Sequence, residues 1–231
     1  MYFDCLEGLV SREASYAAVL TGDIIKSTDM TFERLADVRK TLGDAFEQIA
    51  PSQGRIEFYR GDGWQLWLSD AKAAFRLALY LRARLRAAHD ADTRISIGLG
   101  GVDRPVSANI ALSAGEAFTL SGRGLDAMPS HLALTAHLPK SSGALARWVP
   151  VACHLTDEIV GGWTQRQAEI CAKALELGEA THQDIADSLE PPVAKQTVTA
   201  SLAGAGWRAL QAPLVAFEET DWACIQMSKV E

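Results

Sequence analysis

The sequence predicts an α+β fold, a partly antiparallel sheet with helices on one face, followed by a small all-helical unit. Three observations predict it: short apolar runs of strand character at residues 16–20, 55–59, 64–68, 94–99 and 131–135, stretches of helical period between them, and a final third in which only helical periods recur.

Residues 16–20, Tyr-Ala-Ala-Val-Leu, run into Thr21-Gly22-Asp23 as a buried strand runs into a turn. From 31 to 50, Leu35, Val38, Leu42, Phe46 and Ile49 recur at three and four residue intervals, with Asp29 or Thr31 available as the cap. Runs 55–59 and 64–68 flank Arg60-Gly61-Asp62-Gly63, and an Asp-Gly step between alternating segments signals a hairpin. A second helix spans 70–89, with Phe75, Ala78, Leu81, Leu85 and Ala88 on one stripe. Residues 94–99 read as a strand, 115–128 as a helix and 131–135 as a last strand. That order matches ferredoxin-like and polymerase-palm sheets.

Pro139, the Ser141-Ser142-Gly143 cluster and Pro150 interrupt any regular pattern, which divides the chain into a sheet domain at 1–138, a linker at 139–155 and a helical domain at 156–231. In the last part a helix from 163 to 177 turns Ala168, Cys171, Ala172 and Leu175 inward. A short helix capped by Thr181 buries Ile185, Ala186 and Leu189, and a third at 193–203 buries Val198 and Leu202. Gly204 and Gly206 end it, and 207–217 pack back.

Of the chain's 231 residues, 48% are hydrophobic and 22% charged, an ordinary globular mixture. No apolar run approaches the ~20 residues of a membrane span, and the first 12 residues carry acids where a targeting peptide is basic. Cys5, Cys153, Cys171 and Cys224 lie far apart with no paired spacing, so a reducing cytoplasm is expected. The net charge of −7 sits in the last third, where 5 basic face 12 acidic residues. Arg76, Arg82, Arg84 and Arg86 are spread around the second helix and read as a solvated face. His89, His131, His137, His154 and His182 show no ligand spacing.

If the first strand lies beside the hairpin, Asp23 and Asp62 meet. A hard cation such as Mg²⁺ takes a few carboxylate oxygens and completes its shell with water and phosphate, so two aspartates suffice when a triphosphate is bound. The candidate metal set is Asp23, Asp62 and Ile24. Gly22 and Gly61 would admit phosphates close to the backbone, with amides of residues 24–27, Ser27 included, as donors.

Asp23-Ile24-Ile25-Lys26-Ser27-Thr28 resembles the first metal-binding segment of class III nucleotidyl cyclases, and Arg60-Gly61-Asp62-Gly63 is similar to their Gly-Asp hairpin. Arg94-Ile95-Ser96-Ile97-Gly98-Leu99-Gly100-Gly101 resembles a third motif. Residues 115–123 resemble the Gly-x-x-x-Asn-x-x-x-Arg helix, with Thr119 at the ribose-orienting Asn and Arg123 at the transition-state Arg. The last part resembles the winged helix-turn-helix of transcription regulators, and the whole chain resembles the SatD family. The resemblance implies a cyclase-type palm, Mg²⁺ or Mn²⁺ on Asp23 and Asp62, Arg123 against the α-phosphate, and a head-to-tail homodimer in which the partner supplies that Arg.

Phe58 and Leu112 stand where purine-selective cyclases carry Lys and Asp, so the usual base contacts are missing. Taken singly, Asp62 reads as a tight-turn residue, Asp23 as a helix cap and Arg123 as a surface charge; together, in order, they point to a site. The expectation is a divergent cyclase-like protein that binds a nucleoside triphosphate, with turnover open. The alternative is a SatD-type regulator binding DNA, which the acidic last third disfavours.

Overall fold

The computed structural model describes residues 15–59, 61–103, 110 and 113–227; Arg60 and Leu112 lie outside them. The sheet part runs β1 (Ser15–Ile24), α1 (Phe32–Ile49), β2 (Gly54–Phe58), β3 (Gly63–Leu68), α2 (Ala74–His89), β4 (Thr93–Val102), α3 (Glu116–Asp126) and β5 (Leu134–His137). The helices α4 (Leu145–Gly161), α5 (Gln165–Leu177), α6 (His182–Ser188), α7 (Lys195–Gly204), α8 (Trp207–Glu219) and α9 (Trp222–Met227) follow.

The sheet order is β2-β3-β1-β4-β5. Only β4 and β5 are parallel; the other pairs are antiparallel. β1 takes the centre because Ala17, Ala18, Val19 and Leu20 are all fully buried, which requires cover on both faces. It also continues past the expected turn: Gly22 and Asp23 remain in the ladder, paired with Trp64 and Gly63 on one side and Ile95 and Arg94 on the other.

Side chains alternate between two cores. Ala18, Leu20, Trp64, Leu66, Leu68, Ile95, Ile97 and Leu99 face α1 and α2. Ala17, Val19 and Val102 pack instead with Ala117 of α3, flanked by Trp67 and Phe118. The expectation of helices on one face is therefore corrected, since α3 covers the opposite face. Gly98 is what lets it approach: a Cβ there would lie 2.2 Å from the Ala117 carbonyl oxygen.

α1 is capped by Thr31, whose hydroxyl accepts from the Arg34 amide at 3.2 Å, and buries Val38, Leu42, Ala45 and Phe46. α2 is buried well beyond its expected stripe: Leu77, Leu79, Tyr80, Arg82 and Ala83 are buried too. A helix apolar on most sides must be covered on most sides, and α5 packs against α2 opposite the sheet.

The segment expected as a linker, 139–155, holds a short 3-10 turn and the larger part of α4. Pro150 lies inside that helix, where it removes a single amide donor. One cluster of buried side chains runs without interruption from the sheet through Cys153 and Val160 of α4 to Leu210, Leu214 and Trp222. α5 and α6 each begin with a capping box, Thr164 with Gln167 and Thr181 with Asp184. Among the described residues no strand follows β5, so where a wing would follow α7 the chain turns at Gly206 (φ 69°) into α8. No helix among the described residues is long and apolar enough to cross a membrane.

Candidate functional site

The register of β1 decides which side chains share a face. Gly22 points to the α1–α2 core, where a Cβ would sit 2.4 Å from the Trp64 indole and 2.4 Å from the Arg94 carbonyl oxygen. Its missing side chain makes room for a tryptophan, and the expectation that Gly22 admits phosphate is corrected accordingly. Asp23, one residue on, lies on the opposite face. There the Arg94 guanidinium straddles it: Nε donates to Oδ1 at 2.8 Å and Nη2 donates to Oδ2. This is a bidentate pair, with the Asp23 side chain 21% and the Arg94 side chain 33% exposed.

Asp62 arrives from the β2–β3 turn. Gly61 supplies the left-handed residue this turn needs (φ 77°) and has open space around it. The Ile24 amide donates to the Asp62 carbonyl at 3.3 Å, which docks the hairpin tip on the end of β1. The Ser27 hydroxyl donates to Asp62 Oδ2. Between them Lys26 adopts a left-handed conformation (φ 56°) and starts a 3-10 turn over Ser27–Asp29.

These residues line a cleft of about 390 Å³, bounded by Asp23, the segment 24–28, Asp62, Arg94 and residues 130–133. The hydrogen bonding of Arg94 to Asp23 raises the Arg94 pKa above its ordinary value; burial opposes this, and the negative charges of Asp23 and Asp62 add to it. The charged residues lining the cleft are thus Asp23, Asp62, Arg94 and Lys26. Beneath it, the Thr93 hydroxyl accepts from the Trp64 indole at 2.9 Å and donates to the Asp23 carbonyl at 2.6 Å, fixing the backbone that carries the carboxylate.

Of the residues expected to act together, Asp23, Ile24, Ser27 and Asp62 do line one cleft. The amides of Ile24 and Ile25 are committed to the carbonyls of Asp62 and Asp92, so they are not free donors as expected. Thr119 and Arg123 are exposed on α3 and are not among the residues lining the cleft. The Thr119 hydroxyl donates to the Gly115 carbonyl at 3.2 Å. Phe58 lies under the Arg39 guanidinium, 5.0 Å from ring centroid to Cζ, and does not line the cleft. No group of three or more His, Cys, Asp and Glu side chains capable of holding a metal occurs among the described residues.

Arg94 had no assigned role in the sequence, although its position opposite Asp23 is a matter of strand register alone. A second set of residues also departs from expectation. The α2 arginines are not a solvated face: Arg82 is 1% exposed and Arg76 forms an ion pair with Glu218. Arg82 donates to both oxygens of Asp92, at 2.9 and 2.8 Å, and to Oδ1 of Asp157 on α4 at 2.6 Å. Arg86 donates to Asp92 at 3.0 Å and to the carbonyls of Gly161 and Trp163 at 2.8 Å each. Asp157 Oδ2 accepts from the Ala133 amide at 2.7 Å, and Ala133 lines the cleft. Burial pushes the Asp92 carboxyl up, but the charge and hydrogen bonds of Arg82, the Thr93 amide and Arg86 hold it below the usual carboxylate range. A buried ion network therefore joins the cleft wall to the terminal helices.

The α6–α7 surface carries Lys195, Gln196, Thr197 and Thr199, all exposed, with the His182 ring 2.8 Å from the Thr199 hydroxyl. Asp184 and Asp187 lie on the neighbouring helix.

No family model and no curated protein matches the chain. Among solved structures it is similar to the crystal structure of the guanylyl cyclase Cya2, with 16% sequence identity, 55% of this chain and 75% of that chain covered, and a TM-score of 0.38.

Proposed function

We propose that the cleft binds a nucleoside triphosphate together with a divalent cation, Mg²⁺ or Mn²⁺, as in a divergent nucleotidyl-cyclase-like protein. The observation that carries this reading is that Asp23 and Asp62, 39 residues apart in sequence, open on one cleft that also holds Lys26 and Arg94. The donor set suits the ion: two carboxylates are hard oxygen ligands, and Asp23 already holds a cationic group with both oxygens. At about 390 Å³ the cleft is of ligand-binding size.

Asp23 and Asp62 would hold the cation, with Ile24 beside them. Amides of residues 26–28 and the Lys26 ammonium would face the phosphates, since the amides of Ile24 and Ile25 are engaged elsewhere. A bound cation would neutralise phosphate charge and, if there is turnover, favour attack by the ribose hydroxyl. Turnover would need Arg123, and α3 of the same chain does not bring it to the cleft, so the reading places that step in a homodimer. With Phe58 away from the cleft, binding is expected to discriminate weakly between bases.

The SatD-type regulator reading has less support. A DNA-binding surface is basic, whereas here α7 offers Lys195 alone and the neighbouring α6 carries Asp184 and Asp187.

A panel of nucleoside triphosphates with Mn²⁺, read by thermal shift and calorimetry, tests the proposal. At least one triphosphate should stabilise the chain, by about 2.7 kcal/mol at a hundred times its Kd. Asp62→Asn should weaken that binding roughly 100-fold, about 2.7 kcal/mol, with little change in the ligand-free melting temperature. If no triphosphate stabilises the wild type at millimolar concentration, the reading is wrong.

A further inference from the structure

We infer that Arg94 is a built-in counter-cation that keeps a lone divalent ion off Asp23, and that it yields only when cation and triphosphate arrive together. This rests on the nucleotide reading above and adds to it a rule for how the site fills.

Both oxygens of Asp23 are occupied by one planar guanidinium, the geometry in which Arg and carboxylate match best. The pairing is not a chance meeting of flexible side chains, because Asp23 and Arg94 are direct partners in the β1–β4 ladder. Arginine also stays charged at any ordinary pH, so the counter-cation is not switched off by losing its proton. Around it the formal charges cancel: Asp23 and Asp62 against Arg94 and Lys26. A divalent ion entering alone meets no surplus of negative charge, has to displace a cation from its ligand, and leaves that half-buried cation beside it without its carboxylate.

A triphosphate changes each of these terms. Its oxygens accept the same paired hydrogen bonds from the guanidinium that the carboxylate accepts, so Arg94 can exchange partners without being left unpaired. Asp23 is then free for the ion, and the added negative charge attracts it. Each ligand removes the obstacle to the other. The result is positive coupling, and linkage requires it to be equal in both directions.

Equilibrium dialysis of the full chain, measuring protein-retained Mn²⁺ at fixed free Mn²⁺, tests this with inorganic tripolyphosphate as a base-free probe. Wild type should bind Mn²⁺ alone at least roughly tenfold more weakly than Arg94→Gln. Tripolyphosphate should raise the wild-type Mn²⁺ affinity roughly tenfold or more, and should raise that of Arg94→Gln much less. Arg94→Lys, which keeps the charge but loses the fork, should fall between the two and serves as the readout if the glutamine variant does not fold. Mn²⁺ binding to free wild type as tight as to the variants, or equal coupling in all three, overturns the inference, as does a variant that takes up no Mn²⁺. If Arg94→Gln gains Mn²⁺ affinity while no nucleoside triphosphate binds either protein, the lock stands and the nucleotide reading falls.

Discussion

Replacing Arg82 by alanine is expected to lower the unfolding free energy by about 3–5 kcal/mol, because breaking a buried ion network by removing one partner leaves the others charged and dry. Among the described residues, Asp92 would keep Arg86 and the Thr93 amide, and Asp157 would keep the Ala133 amide. The midpoint of urea unfolding measures the loss, and an unchanged midpoint contradicts the network's role. Asp157→Ala should destabilise by a similar amount, and the double variant by much less than the sum, since the residues act on each other directly. The pH dependence has a definite sign. Asp92 has a folded pKa below its unfolded value, so its contribution is complete above about pH 4 and is lost as pH falls through the lowered folded value. Acid melts of wild type should fall steeply there, and Arg82→Ala should flatten that part of the curve.

The second large effect is expected at Trp64, the largest fully buried side chain among the described residues. Trp64→Ala should cost about 3–5 kcal/mol, combining lost burial with a cavity. It also removes the indole donor that holds Thr93 beneath Asp23, so any cleft ligand should bind more weakly as well. Gly22→Ala reaches the same place from the other strand. A new methyl group would press on the indole, and overpacking of this kind costs about 1–3 kcal/mol. Part of that clash is with the Arg94 carbonyl oxygen, which does not move away when the indole is removed. The pair should therefore show a coupling of about 0.5–3 kcal/mol in a double-mutant cycle, and strict additivity would contradict the contact.

The elements that could be read from sequence are those with local causes. α1 carries its period and its Thr31 cap within a single stretch, and the β2–β3 hairpin carries Gly61-Asp62-Gly63 at its turn. α4 was hidden because Pro139, Ser141, Ser142, Gly143 and Pro150 lie close together and resemble a loop, although only Pro150 is inside the helix. The placement of α3 left a fainter trace. Gly98 and Gly100 are two residues apart on one face of β4, a groove for a helix backbone, but nothing in α3 itself says which face it takes.

The cleft divides in the same way. That Asp23 and Asp62 could meet followed from topology. The pairing of Asp23 with Arg94 followed from register, which the apolar run at 16–20 does not specify once the strand extends to Ile24. Arg82 and Asp157 had no local signal at all, since they are 75 residues apart and on different helices. An arginine in an apolar helix has the same look in sequence whether its partner is water or a distant aspartate.

The course of α4 across the expected boundary has a practical outcome for anyone dissecting this chain. A cut at residue 155 would halve a helix, strip Asp157 from its arginine and uncover one flank of α2. Fragments of that kind would report on their own collapse rather than on ligand or DNA, so sheet and terminal helices have to be produced and assayed as a single piece.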